Sequence, residues 1–149
     1  MTIEEMNLEP TAEAAARLLL EKHPEIQFTS GRRDVQHQAH AMAANVVAKH
    51  DRQWIGHTYI AGQKLQAWID AHPEAVTVDQ ITAGLVGVMN AMPEAERLKI
   101  SRHMTGRAFD VRPQTQNAEV IKADIRALPG LNKFLEVEGG LVRWHAQFD

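Results

Sequence analysis

The chain contains no cysteine. Disulfides and thiolate metal ligands are excluded together, so a metal site would have to be built from imidazoles and carboxylates. The absence does not fix a compartment, because a disulfide-free protein can work inside or outside a cell. No run approaches the roughly 18 apolar residues of a membrane span, and no membrane insertion is expected. Positive charge is not in excess either. With 16 basic and 19 acidic side chains the net charge is -3, which offers no polybasic surface, and no nucleic-acid partner is expected. The first residues, Met1 to Met6, are acidic where a secretory signal is basic and then apolar, so no signal peptide is expected and synthesis in the cytoplasm is. Repeats and low-complexity tracts are also lacking.

The chain of 149 residues falls within the size range of one domain with its own core, and residues 1–149 are read as a single domain. After a polar lead-in over residues 1–10, Pro10-Thr11 opens a helix with Ala14, Ala15, Leu18 and Leu19 at helical spacing, ended by His23-Pro24. Residues 25–29 alternate as a half-buried strand does, and Gly31 marks the turn out of it. Asp34 caps a helix to about His50, with Val35, Ala39, Met42, Ala43, Val46 and Val47 as its apolar stripe. His37 and His40 stand i, i+3 on that helix with no third ligand in register, which favours an ordinary exposed face.

From Trp54 to Met92 the apolar spacing is helical. Ile60, Leu65, Trp68 and Ile69 form one set, and Val78, Ile81, Leu85, Val88, Met89 and Met92 form the next, with Pro73 between them and Thr77 with Gln80 as a capping box. Trp54, Tyr59 and Trp68 suit either a ligand groove or a core, and core is the commoner use. Further on, Asn117 to Leu128 reads as a helix with Val120, Ile121, Ile125 and Leu128 inward, and Pro129-Gly130 breaks it. Glu138-Gly139-Gly140 signals a turn before a final strand over Leu141 to Phe148. On that strand His145 and Arg143 share one face, Trp144 and Ala146 the other.

The chemistry concentrates in two short stretches, Ser101 to Asp110 and Trp144 to Phe148. Ala108 to Val111 has the look of a strand, facing Asp110 and Ala108 one way and Phe109 and Val111 the other, with His103 in the loop leading in. His103, Asp110 and His145 are two imidazoles and one carboxylate. Catalytic Zn²⁺ favours such a set, because three protein ligands leave the fourth tetrahedral position open. On spacing alone, satisfied polar residues near a turn are the commoner use of such a set.

The string S-x-H-x-x-G-x-A-x-D, here Ser101, His103, Gly106, Ala108 and Asp110, followed by the late pair Trp144-His145, resembles the signature of the zinc D-Ala-D-Ala carboxypeptidases and L-alanyl-D-glutamate endopeptidases, whose fold the hedgehog signalling domain shares. Phe28-Thr29-Ser30-Gly31-Arg32-Arg33, then Gln36, is similar to the family's S-G-Y-R followed by a Gln. The likeness runs from about residue 26 onward, in three short patches. It implies an α+β fold in which a small antiparallel sheet, packed with helices, carries a Zn²⁺ held by His103, Asp110 and His145. It further implies that Arg33, Gln36 and Ser101 bind substrate, with Arg33 steadying the developing oxyanion, for which a guanidinium fork is suited. The implied activity is a metallopeptidase cleaving peptidoglycan stem peptides, in a bacterial or phage lysis setting. The protein would then act at the cell wall once released or carried there by a virion.

One departure stands against the activity. Where the family's carboxypeptidases have a Glu and its endopeptidases an Asp, three residues before the last His, this chain has Val142, and where other relatives have a His it has Arg143. A carboxylate from elsewhere would have to serve as general base. Glu138 is the first candidate, since the glycines after it permit an unusual approach, with Glu136 and Asp149 behind it. Without a base, the chain would be a zinc-stabilised binding module. Oligomeric state is not legible in the sequence.

Overall fold

A computed structural model describes residues 1–138 and 141–149; the turn expected at Gly139-Gly140 lies outside the described residues. In chain order the elements are α1 (Ile3–Met6), α2 (Pro10–Lys22), β1 (Phe28–Ser30), α3 (Val35–Ala48), α4 (Trp54–Thr58), α5 (Gln63–Ala71), α6 (Val78–Ala91), α7 (Glu94–Arg97), a 3-10 turn (Arg102–Thr105), β2 (Ala108–Val111), α8 (Ala118–Arg126), β3 (Leu131–Glu138) and β4 (Leu141–Phe148). This is an α+β protein, and its strands form one antiparallel sheet in the order β1-β2-β4-β3. Among the described residues, no helix is long and apolar enough to cross a membrane. The chain divides into two compact units, one made of Met1–Arg32 with Thr105–Asp149, the other of Arg33–Met104.

The first unit is built on the sheet. Period-2 alternation sends Phe109 and Val111 of β2, and Trp144, Ala146 and Phe148 of β4, to one face, where they meet Leu19 of α2 and Ile121 and Ile125 of α8 in a single core. Phe109 anchors it, edge-on to Phe28 at 5.3 Å between ring centroids and stacked with Phe148 at 5.5 Å. Deleting so buried a ring costs about 3–5 kcal/mol, a large share of a small domain's stability. The opposite face of β2 is also covered, since Ala108 and Asp110 are buried as well.

Several expectations shift here. The buried stripe of α2 is Ala12, Ala15, Ala16 and Leu19, which leaves Ala14 exposed. Val120 is exposed because the inward line of α8 runs through Ile121 and Ile125, one residue around the helix, while Leu128 enters the core just beyond the helix end. The lead-in is partly helical: Thr2 and Glu5 form a capping box, and Ile3 and Met6 enter the core. Strand β3 had no clear signal, because its burial does not alternate.

The second unit is helical. Asp34 caps α3 by accepting from the His37 backbone N–H at 2.8 Å, and Thr77 with Gln80 forms the capping box of α6. Ala39, Met42, Ala43 and Val46 of α3 pack with Ile81, Leu85 and Met89 of α6. Trp54 is buried and Tyr59 meets it edge-on at 5.6 Å, while Trp68 stacks on His72 and covers Gly84, so these aromatics are core. Ile60 is an exception to the expected inward set. It lies beyond the end of α4 and is 94% exposed.

Candidate metal centre

Strand β2 sets Asp110 directly opposite His145 of β4, 35 residues later in the chain. The Asp110 Oδ1 lies 2.9 Å from His145 Nδ1, and both side chains are almost fully buried. A third group joins from β3. Between the pairs Leu135↔His145 and Val137↔Val142 the register shifts, so that Arg143 and Trp144 of β4 stand against Glu136 alone. Such a bulge bends the strand and re-aims side chains. Glu138 ends with its Oε2 3.1 Å from the same His145 Nδ1.

That contact is close but not aligned as a hydrogen bond, and Glu138 Oε2 is buried without a hydrogen-bond partner. The Nδ1–H is aligned on Asp110 Oδ1 instead. His145 is pulled both ways. Burial opposes its positive charge, yet the bond to Asp110, the nearby charges of Glu138 and Asp110, and the contact with Gln147 together hold its pKa above the ordinary imidazole value. With both carboxyls ionised, the trio carries net negative charge even when His145 is protonated. Arg143 offsets part of it, with Nη1 3.9 Å from Asp110 Oδ2. A divalent cation in place of the Nδ1 proton would bring the trio to neutrality.

The donors of Asp110, Glu138 and His145 lie within 4.8 Å of one another, and oxygen and imidazole nitrogen are ligand types that suit zinc among other divalent metals. By donor chemistry, charge and burial the residues fit such an ion. On the reverse face of β4, Trp144 is packed in the core and Lys122 sits 5.7 Å above its ring, which fixes the strand carrying His145.

The other candidate residues belong to the helical unit. His103 is fully buried in the 3-10 turn, where its N–H donates to Ser101 Oγ at 3.2 Å and its carbonyl accepts from the Arg33 N–H at 2.9 Å. Ser101 therefore holds the turn that presents His103. The Arg33 guanidinium reaches Gln38 Oε1 at 3.4 Å. Gln36, expected beside the substrate, is exposed on α3, and Gln38 is the buried glutamine of this helix. His37 and His40 are exposed, and His37 pairs with Asp34.

Comparison with family models, with curated proteins and with solved structures returns no match in any of the three. Among the alternative carboxylates, Glu136 is engaged by Lys122 at 2.7 Å and Arg126 at 2.8 Å, and Asp149 accepts from Asn132 at 2.8 Å. Only Glu138 of the three joins the group that could hold a metal. The sequence reading passed over Gln38, Gln147 and Asn132. For Gln147 a signal existed, since period 2 puts it on the His145 face.

Proposed function

We propose that the chain is a zinc metallopeptidase of the D-Ala-D-Ala carboxypeptidase and L-alanyl-D-glutamate endopeptidase type, acting on peptidoglycan stem peptides. The observation that carries this reading is the buried carboxylate, imidazole and carboxylate cluster of Asp110, His145 and Glu138, whose donors could hold a divalent cation. His103, Asp110 and His145 are the ligands in this reading, as the resemblance to the zinc peptidases implies. A bound zinc ion would supply Lewis acidity toward the scissile carbonyl and lower the pKa of water.

The protein's own groups do the rest. Glu138 Oε2 takes a proton from the attacking water as its oxygen bonds to the carbonyl carbon, and returns that proton to the departing amine as the C–N bond breaks. Arg33, tied through its backbone to the His103 turn, grips the substrate oxygen on which charge develops. Asp110 and the core packing of β4 keep His145 fixed meanwhile.

A second reading rests on Val142, which stands 70% exposed at the position where the family carries its base. In that reading the domain binds wall peptides and cleaves nothing. Dye release from purified cell walls, with and without chelator, separates the two. The peptidase reading expects chelator-sensitive release and one zinc per chain by elemental analysis, lost in a His103→Ala, His145→Ala double variant. Full zinc in that variant would end the ligand assignment, and no release from any wall tried would end the enzyme.

A further inference from the structure

The imidazole of His145 has a second nitrogen, and the groups behind it form a chain with a fixed direction. His145 Nε2 lies 3.0 Å from Gln147 Oε1, Gln147 Nε2 donates to Asn132 Oδ1 at 2.9 Å, and Asn132 Nδ2 donates to Asp149 Oδ1 at 2.8 Å. The sheet is shaped for it. Between the pairs Leu131↔Phe148 and Lys133↔Gln147, strand β3 carries Asn132 as an extra residue, and this bulge sets the Asn132 amide beside Gln147.

The direction follows from the far end. An ionised carboxylate only accepts, so Asp149 makes Asn132 present its NH₂ outward and its oxygen to Gln147. Gln147 must then turn its own NH₂ to Asn132 and its oxygen to His145. An amide oxygen also only accepts, so His145 Nε2 has to carry a hydrogen. The nitrogen left for a cation is Nδ1, the one already facing Asp110 and Glu138.

We propose that Gln147, held by Asn132 and Asp149, is a positioning residue that keeps His145 Nε2 protonated and so assigns Nδ1 to the metal. This rests on the zinc reading above for the metal, but the polarity of the chain stands apart from it. Such partners behind a metal-binding imidazole fix its tautomer and ring orientation, and their loss costs about 10–100-fold in metal affinity.

The test uses the full chain and Zn²⁺ itself. Gln147→Leu should weaken Zn²⁺ binding about 10–100-fold in a competition titration, while Gln147→Glu, which keeps an acceptor at Nε2, should restore most of it. In ¹⁵N-histidine-labelled protein the Nε2 proton should be protected from solvent exchange in wild type and lose that protection in Gln147→Leu. Should Gln147→Leu fail to fold, Asp149→Asn serves instead: its amide can donate, the direction of the chain is no longer imposed, and Zn²⁺ affinity should fall. Wild-type affinity and unchanged Nε2 protection in the variants would overturn the proposal. A wild type that takes up no Zn²⁺ overturns the zinc reading instead, and Nε2 exchange in the metal-free protein then decides the relay by itself, equal exchange in wild type and Gln147→Leu sinking it.

Discussion

Asp110 and His145 are cross-strand partners on β2 and β4, joined at 2.9 Å on a sheet face that is buried from water. A carboxylate and an imidazole paired in this way are each costly to leave alone, because removing one partner strands the other where water cannot reach it. The pair is therefore both a structural element of the sheet and the foundation of the candidate site.

Glu138 separates the two functional readings. Glu138→Gln keeps size and shape, removes the proton acceptor, and should cost about 10²–10⁴ in peptidase rate while zinc content is retained. Loss of zinc in that variant would make Glu138 a ligand and not a base. Val142→Glu, which restores the family's arrangement, should raise cleavage in a wild type that proves weak or inert.

The pH dependence has a defined sign. The folded-state pKa of His145 lies above its unfolded value, near 6.5, so the stability it contributes to the metal-free protein is fully present below that value. It is lost as pH rises through the folded value. Thermal melts in chelator should therefore show stability falling with rising pH across that window, and His145→Ala should flatten the slope. Zinc reverses the trend, since it competes with the Nδ1 proton and binds more tightly as pH rises. Melts with zinc that follow the chelator curve would count against a site at His145.

Arg33→Ala should lose turnover while keeping zinc and fold, because its proposed work is done on the substrate. Arg33→Lys should recover only part of the rate, since a point charge does not reproduce the two-pronged guanidinium. Unaltered steady-state rates in Arg33→Ala would remove Arg33 from the substrate side of the reaction and return it to a structural role such as its contact with Gln38.

Gly106 connects the His103 turn to β2 with φ +76, the left-handed region, and a Cβ there would meet the Arg32 guanidinium at 2.6 Å. Arg32 is itself held by the Asn7 carbonyl and Glu9. Gly106→Ala combines backbone strain with that clash and should destabilise the chain by about 1–3 kcal/mol in denaturant unfolding. An unchanged midpoint would show that Arg32 swings aside freely.

Local rules in the sequence determined much of this protein. Alternation along Ala108 to Val111 set Asp110 with Ala108 against Phe109 with Val111, and along Arg143 to Ala146 it set His145 with Arg143 against Trp144 with Ala146, because side-chain direction in a strand has a period of two whatever the strand pairs with; the pairing of β2 with β4 then put Asp110 and His145 on one face. The Asp34 cap and the Thr77-Gln80 box marked helix starts for an equally local reason, since a cap bonds a backbone group only three residues away. The tertiary structure decided the rest. Which carboxylate reaches His145 depends on a bulge between β3 and β4, and a bulge is a property of two paired strands that neither strand encodes alone. The same holds for the amide chain behind His145, which needs Asn132 brought beside Gln147 by a second bulge. It holds also for Ile60 and Val120, whose exposure was set by where their helices end and turn. Composition and spacing could name the donors, but only non-local register could bring Asp110, Glu138 and His145 within reach of one ion.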